Sequence, residues 1–183
     1  MFTKSSRKMF SVSRVATVLL GIALVSTASF AMGKDNSKAF LKNAGRDGMA
    51  EVSFARIALQ RASNVDIQDF AKQMVDDHSA ANDKIASLAK DDKVMLHKDL
   101  SPKQKAMEKK LMKLNDRDRA FDRAYAAQAV EDHEKAVKAF ERQAAHGTDA
   151  DVRAFAEETL PTLKHHLEMA TALKAKLDQK PNR

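Results

Sequence analysis

The chain has 183 residues, no Cys and no Trp, and 32 basic against 25 acidic side chains, for a formal net charge of +7. Without Cys, disulfide scaffolds, thiolate metal sites and a lipid anchor on an N-terminal Cys are all excluded. Four of the basic residues lie in the first fourteen positions, so the remainder carries no nucleic-acid footprint.

Lys4, Arg7, Lys8 and Arg14 precede an apolar run from Val15 to Ser29, and Ser29 and Ala31 occupy the −3 and −1 positions of a small-residue cleavage motif. This pattern predicts a secretory signal peptide over residues 1–31, cut after Ala31. The competing reading, an uncleaved anchor, needs roughly 18 to 20 apolar residues, more than the run supplies. Removing residues 1–31 leaves 28 basic and 25 acidic residues, a net charge of +3. The expectation is an exported protein, periplasmic or secreted and not lipid-anchored. It has no transmembrane segment after cleavage, no nucleic-acid partner and no protein partner legible in the sequence.

Residues 32–178 read as one helical domain, with 179–183 as a disordered tail. Gly and Pro are scarce, at 5 and 3 residues, and strand-like alternation is absent. The first predicted helix spans 37–62, with Asp35, Asn36 or Ser37 as its cap; Gly45 and Gly48 predict bent or separate first turns. After the break at Ser63 and Asn64, a second helix spans 65–90. Ser101 and Pro102 open a short helix with Met107, Leu111 and Leu114 along one side. The next long helix spans 116–146 and stops at Gly147. The last spans 150–178 behind Thr148 or Asp149, and Pro161 inside it predicts a kink near Glu157. Short turns make two antiparallel hairpins, and the long segment between them can travel the length of a bundle. That connectivity is ferritin-like; an up-down-up-down bundle with an elaborate loop is the alternative.

At roughly 100° per residue, each long helix places one ionisable residue on the axis of its apolar face. Glu51 sits among Ala44, Phe54, Ala55, Ala58 and Ala62; His78 among Ala71, Met74, Val75, Ala81 and Ile85. His133 sits among Ala126, Ala129, Val130, Ala136, Val137 and Phe140; His166 among Phe155, Thr159, Thr162, Leu163, Met169, Ala170 and Leu173. All four are near mid-helix, so they should converge. Three imidazoles and a carboxylate suit a single transition-metal ion, zinc, copper or iron. Asp122, Tyr125, Asn82, Thr159 and Thr162 are placed to support those ligands. Tyr125 is expected at the edge of the core with its hydroxyl bonded, and Asp77 and Glu168 on the solvated surface. The residues leave a second reading open, a metal-free hydrogen-bond network that fixes helix register and responds to pH. A catalytic role lacks support, because no nucleophile motif, phosphate loop or cofactor fingerprint is present.

The segments "FLKNAGRDGMAEVSFARIA", "FAKQMVDDHSAAN", "FDRAYAAQAVEDHEKAVKAFE" and "LPTLKHHLEMA" resemble an exported bacterial domain-of-unknown-function family that carries an outer-membrane-protein label. The resemblance runs from Ala39 to about Leu173 and implies a ferritin-like four-helix bundle without an established activity. It implies Gly48, Met49, Glu51, Asp77, His78 and Asn82 as signature positions in the first two segments. In the last two it implies Phe121, Asp122, Tyr125, His133, Leu160, Pro161 and His166. The sequence shows no alternating barrel strands that would fit the label. Nor does it fit a di-iron carboxylate centre, which needs a Glu-x-x-His on each of two helices. The positions three before His78, His133 and His166 are Val75, Val130 and Leu163. If Glu51 stands apart, a three-His site with one open position remains.

Overall fold

The computed structural model describes residues 36–114 and 119–179, so the expected leader over 1–31, its expected cleavage site and residues 180–183 lie outside the described residues. The described residues form five helices: α1 (Ser37–Arg61), α2 (Val65–Asp91), α3 (Pro102–Lys113), α4 (Ala120–His146) and α5 (Ala150–Asp178). Three of them start on a side chain that satisfies an orphan backbone donor. Asn64 accepts from the Asp66 amide and Asp149 from the Val152 amide, while Ser101 and Gln104 form a reciprocal capping box ahead of α3. At α1 the preceding residue is Asn36, whose side chain makes no capping bond. Arg119, at φ 57° and ψ 30°, turns the chain into α4; residues 116–118 of the predicted helix lie outside the described range.

One sequence expectation about a break needs correction. α1 runs unbroken through Gly45 and Gly48, and their role is proximity to α2. A Cβ on Gly48 would sit 2.2 Å from Asn82 Oδ1, and one on Gly45 would sit 3.2 Å from Ile85 Cγ2. α5 runs as one helix, Ala150–Asp178, with Pro161 inside it. Gly147 caps α4, but with φ −64° it needs no left-handed conformation. A Cβ there would lie 2.5 Å from the Gln143 carbonyl oxygen, so close approach is what demands glycine.

α1 packs chiefly on α2 and α4 on α5, and the hairpins meet through α1–α4 and α2–α5. α3, on the crossover, covers α1 and α4. Two apolar clusters fill the bundle. One joins the C-terminal half of α1, the start of α2, the start of α4 and the end of α5, including Phe54, Phe70, Met74, Phe121 and Tyr125. The other joins the opposite ends of the same helices, including Leu41, Ile85, Phe140, Phe155 and Leu163. α2 and α4 therefore run parallel, as the long crossover requires, and the fold is a ferritin-like four-helix bundle. No helix among the described residues is long and apolar enough to cross a membrane.

Polar bonds pin the hairpins together at both ends. Asp122 Oδ2 on α4 accepts from Ser63 Oγ at 2.9 Å and the Asn64 amide at 3.1 Å, in the α1–α2 turn. At the far end, Gln143 Nε2 donates to Ser37 Oγ at 3.0 Å. Because Gly147 lies against both the backbone and the side chain of Gln143, Gly147→Ala should destabilise the fold by about 1–3 kcal/mol through overpacking. Urea unfolding measures it, and an unchanged midpoint would refute the close-approach account.

Candidate metal centre

The gap between the two apolar clusters holds the buried ionisable residues. His78 on α2, His133 on α4 and His166 on α5 each contribute one ring nitrogen to a group whose members all lie within 4.8 Å of one another. The three rings are 5.3–5.5 Å apart, centre to centre. His133 and His166 are each 1% exposed.

The partners of each ring fix where its proton sits. His133 Nδ1 is 2.8 Å from the carbonyl oxygen of Ala129, one turn earlier on α4. A carbonyl only accepts, so Nδ1 donates and Nε2 keeps its lone pair. That Nε2 lies 3.4 Å from His78 Nε2. His166 Nε2 is 2.9 Å from Asp77 Oδ2 on α2. The carboxylate takes the N–H of this pair, which leaves the lone pair on Nδ1. His166 Nδ1 is buried and has no hydrogen-bond partner.

All three imidazoles are held neutral. Burial, reinforced by His133 and His166, lowers the pKa of His78 to about 3. Burial lowers His133 to about 4, against the pull of its bond to Ala129. His166 is also lowered by burial, opposed by Asp77. Neutral imidazole is the form that ligates metals, so no proton has to leave first.

The structure brings together three of the four predicted ligands. Glu51 is buried at 6% exposure but lies outside the group of close donor atoms. It is carried by α1, which barely touches α5 and so stands diagonally across the bundle from His166. Burial first, then the charges of Asp132 and Asp47, push its carboxyl well above the usual range. Burial thus favours the protonated form of Glu51 over its carboxylate.

The predicted supporting residues are placed differently. Asp122 serves the α1–α2 turn, where its Oδ2 accepts from Ser63 and Asn64, and its buried Oδ1 has no partner. Asn82 turns its Oδ1 onto Gly48 of α1, where it is buried without a partner. Thr159 donates back to the Phe155 carbonyl at 2.8 Å, and Thr162 lines the cavity beside the site. Tyr125 is fully buried rather than at the core's edge, because Phe70 of α2 covers it and Phe121 stacks on it. Its hydroxyl is unbonded, and burial with Glu51 nearby raises its pKa well above the usual value. Asp77, expected to be solvated, is the residue that orients His166; Glu168 is exposed as expected. The signal for Asp77 was its place directly before His78, which turns it about 100° toward α5.

Residues 23–173 match the family described as "Domain of unknown function (DUF4142)". The chain belongs to that family. A solved structure similar to this DUF4142 chain is the DUF305 fragment from Deinococcus radiodurans, with a TM-score of 0.69 and 11% sequence identity. The similarity covers 78% of this chain and 97% of that one, and at this identity it shows the fold alone. No curated protein matches the DUF4142 chain.

Unfolded imidazoles titrate near 6.5, and His78 and His133 titrate far lower when folded. Between about pH 4 and 6.5 the unfolded chain therefore binds more protons, so these residues' contribution is complete above pH 6.5 and lost as pH falls. Glu51, raised instead, works in the opposite sense above its unfolded pKa. The difference between variants isolates one histidine. In chelator-treated protein, His133→Leu should reduce the slope of unfolding free energy against pH by up to one proton, at most about 1.4 kcal/mol per pH unit near pH 5.5. Urea titrations at pH 4.5, 5.5 and 6.5 measure this, and parallel slopes would contradict a buried neutral His133.

Proposed function

We propose that this protein binds a single transition-metal ion through His78 Nε2, His133 Nε2 and His166 Nδ1, as an exported component of the cell envelope that serves metal handling, sensing or stress protection. The observation that carries the reading is the orphaned Nδ1 of His166. A buried acceptor with no donor costs stability, and here its proton position is fixed by Asp77 on the other ring nitrogen. That is the carboxylate–histidine arrangement that orients metal ligands and strengthens them. The Ala129 carbonyl does the same for His133. A further support is the 3.4 Å separation of His78 and His133 Nε2. A tetrahedral zinc site with bonds of about 2.0–2.1 Å has nitrogens about 3.3–3.4 Å apart. With Glu51 outside, three protein ligands leave one position open to water or to another small donor. The donor set admits zinc, copper or iron, and it lacks the bridging carboxylates of a di-iron centre.

The envelope location rests on the leader pattern of residues 1–31 and the Cys-free composition. The second reading, a metal-free network that fixes register, has one observation in its favour. The 3.4 Å contact also fits an N–H···N bond from His78 to His133. It leaves His166 Nδ1 without a role.

Protein purified without a His-tag, stripped and titrated with zinc, copper(II) or iron(II), should bind one equivalent of at least one metal with a rise in melting temperature. His166→Ala should abolish binding, and Asp77→Asn should weaken it about 10–100-fold. Sub-stoichiometric binding with no melting shift would remove the metal reading. Separately, N-terminal sequencing of protein from the envelope fraction should begin at Met32, and an intact Met1 would contradict the cleaved leader.

A further inference from the structure

A cavity of about 860 Å³ is bounded by α1 and α4, with α3 across it, and reaches the three histidines. On α1 it runs from Phe40 to Glu51, a rise of roughly 16 Å along the helix. Most of its wall surface is apolar. Phe40 and Phe140 meet edge to face, 4.8 Å between ring centres, and Ile85, Met107 and Leu163 extend the wall. The two bounding helices contribute Ala44, Ala136 and Ala139, side chains too short to fill the space. Protein interiors are ordinarily packed as densely as organic crystals, and an unfilled volume forfeits contacts. A largely apolar space of this size is in the range of small-molecule sites.

The charged side chains on the wall balance in sign. Asp47, Glu51, Asp77 and Asp132 are acidic; Lys103, Lys110, Lys135 and Arg142 are basic. Most are already engaged. Asp77 bonds to His166, Asp47 accepts from Gln104, Asp132 accepts from Gln128 and lies 3.8 Å from Lys135, and Lys103 bonds to Glu131. Lys110 and Arg142 are exposed to water. Glu51 differs from all of these: it is 6% exposed, lines the cavity and makes no hydrogen bond among the described residues. A buried carboxyl so placed is satisfied by an O–H or N–H donor brought to it.

We propose that the cavity is the seat of a neutral organic molecule, with an apolar chain or ring along Phe40, Ile85, Met107 and Phe140 and one hydroxyl or amide group donating to Glu51. The site needs no bound metal and stands apart from the metal reading above. With the two signs balanced on the wall, neither a cationic nor an anionic head gains a net field there. Either would lose its hydration on reaching Glu51, and a buried ion pair seldom recovers that cost. A neutral head avoids it, and the apolar body displaces water from the wall.

The probes are straight-chain alcohols, titrated into chelator-treated protein by calorimetry. Hexanol, heptanol and octanol should bind at one site, with affinity rising about fourfold for each added methylene. Octanoate and octylammonium should bind at least tenfold more weakly than octanol. Ala44→Leu combined with Ala136→Leu, which puts side chains into the space, should weaken octanol at least tenfold, with circular dichroism confirming the fold. Glu51→Leu should weaken octanol about fivefold, whereas Glu51→Gln, which still offers an oxygen, should change it by less than about twofold. These variants test the site even if the double variant does not fold. Absence of alcohol binding, undiminished binding by the folded double variant, equal affinity for the charged homologues or indifference to Glu51→Leu overturns the proposal and leaves the three-histidine site standing. A protein that takes up octanol but no zinc, copper or iron overturns the metal reading alone.

Discussion

The bundle is organised around a polar layer that its apolar surroundings hold in place. Three imidazoles from α2, α4 and α5 meet between two hydrophobic clusters, and two of the rings have one nitrogen committed to a fixed acceptor. A slip of one helical turn, about 5.4 Å, would carry any of them out of reach of the others. The hairpins must therefore sit in one register. The Asp122 pin at one end, the Gln143–Ser37 pin at the other and the side-chain-free approach of α1 to α2 at Gly45 and Gly48 all serve that alignment.

The layer is electrically quiet. Burial works against the charged form of each buried group: it pushes the histidines down and Glu51 up. Asp77 touches the layer from its half-exposed flank. This arrangement differs from a carboxylate-bridged centre in kind. Val75, Val130 and Leu163 stand where such a centre would need acids, and Leu163 belongs to the apolar cluster.

The helices and their hairpin pairing were legible because apolar periodicity, capping residues and short turns act locally. The three histidines were legible for the same reason: each sits on the axis of an apolar stripe. What the sequence could not convey was which face of each helix meets which neighbour across the bundle. Glu51 satisfies the same stripe criterion as the histidines, yet α1 lies diagonal to α5 and its carboxyl ends outside the group. Asp77 looks solvated on its own helix and is recruited only because α5 packs against that side. Asp122 and Asn82 fall on suitable faces, but a turn and a glycine claim them first. Gly45 and Gly48 read as helix breakers when the real demand was space for a second helix.

The histidines are unevenly shared: His78 comes from the first hairpin, and His133 and His166 from the second. An ion held by all three would be a coordination-bond staple between hairpins whose only covalent link is the crossover, in a chain that has no Cys to make a disulfide. His78 and His133 are 55 residues apart. Tying off a loop of that size removes unfolded-chain freedom equivalent to about 4 kcal/mol on the loop-closure account. Unlike a disulfide, such a staple would be indifferent to thiol reductants and would open to chelators.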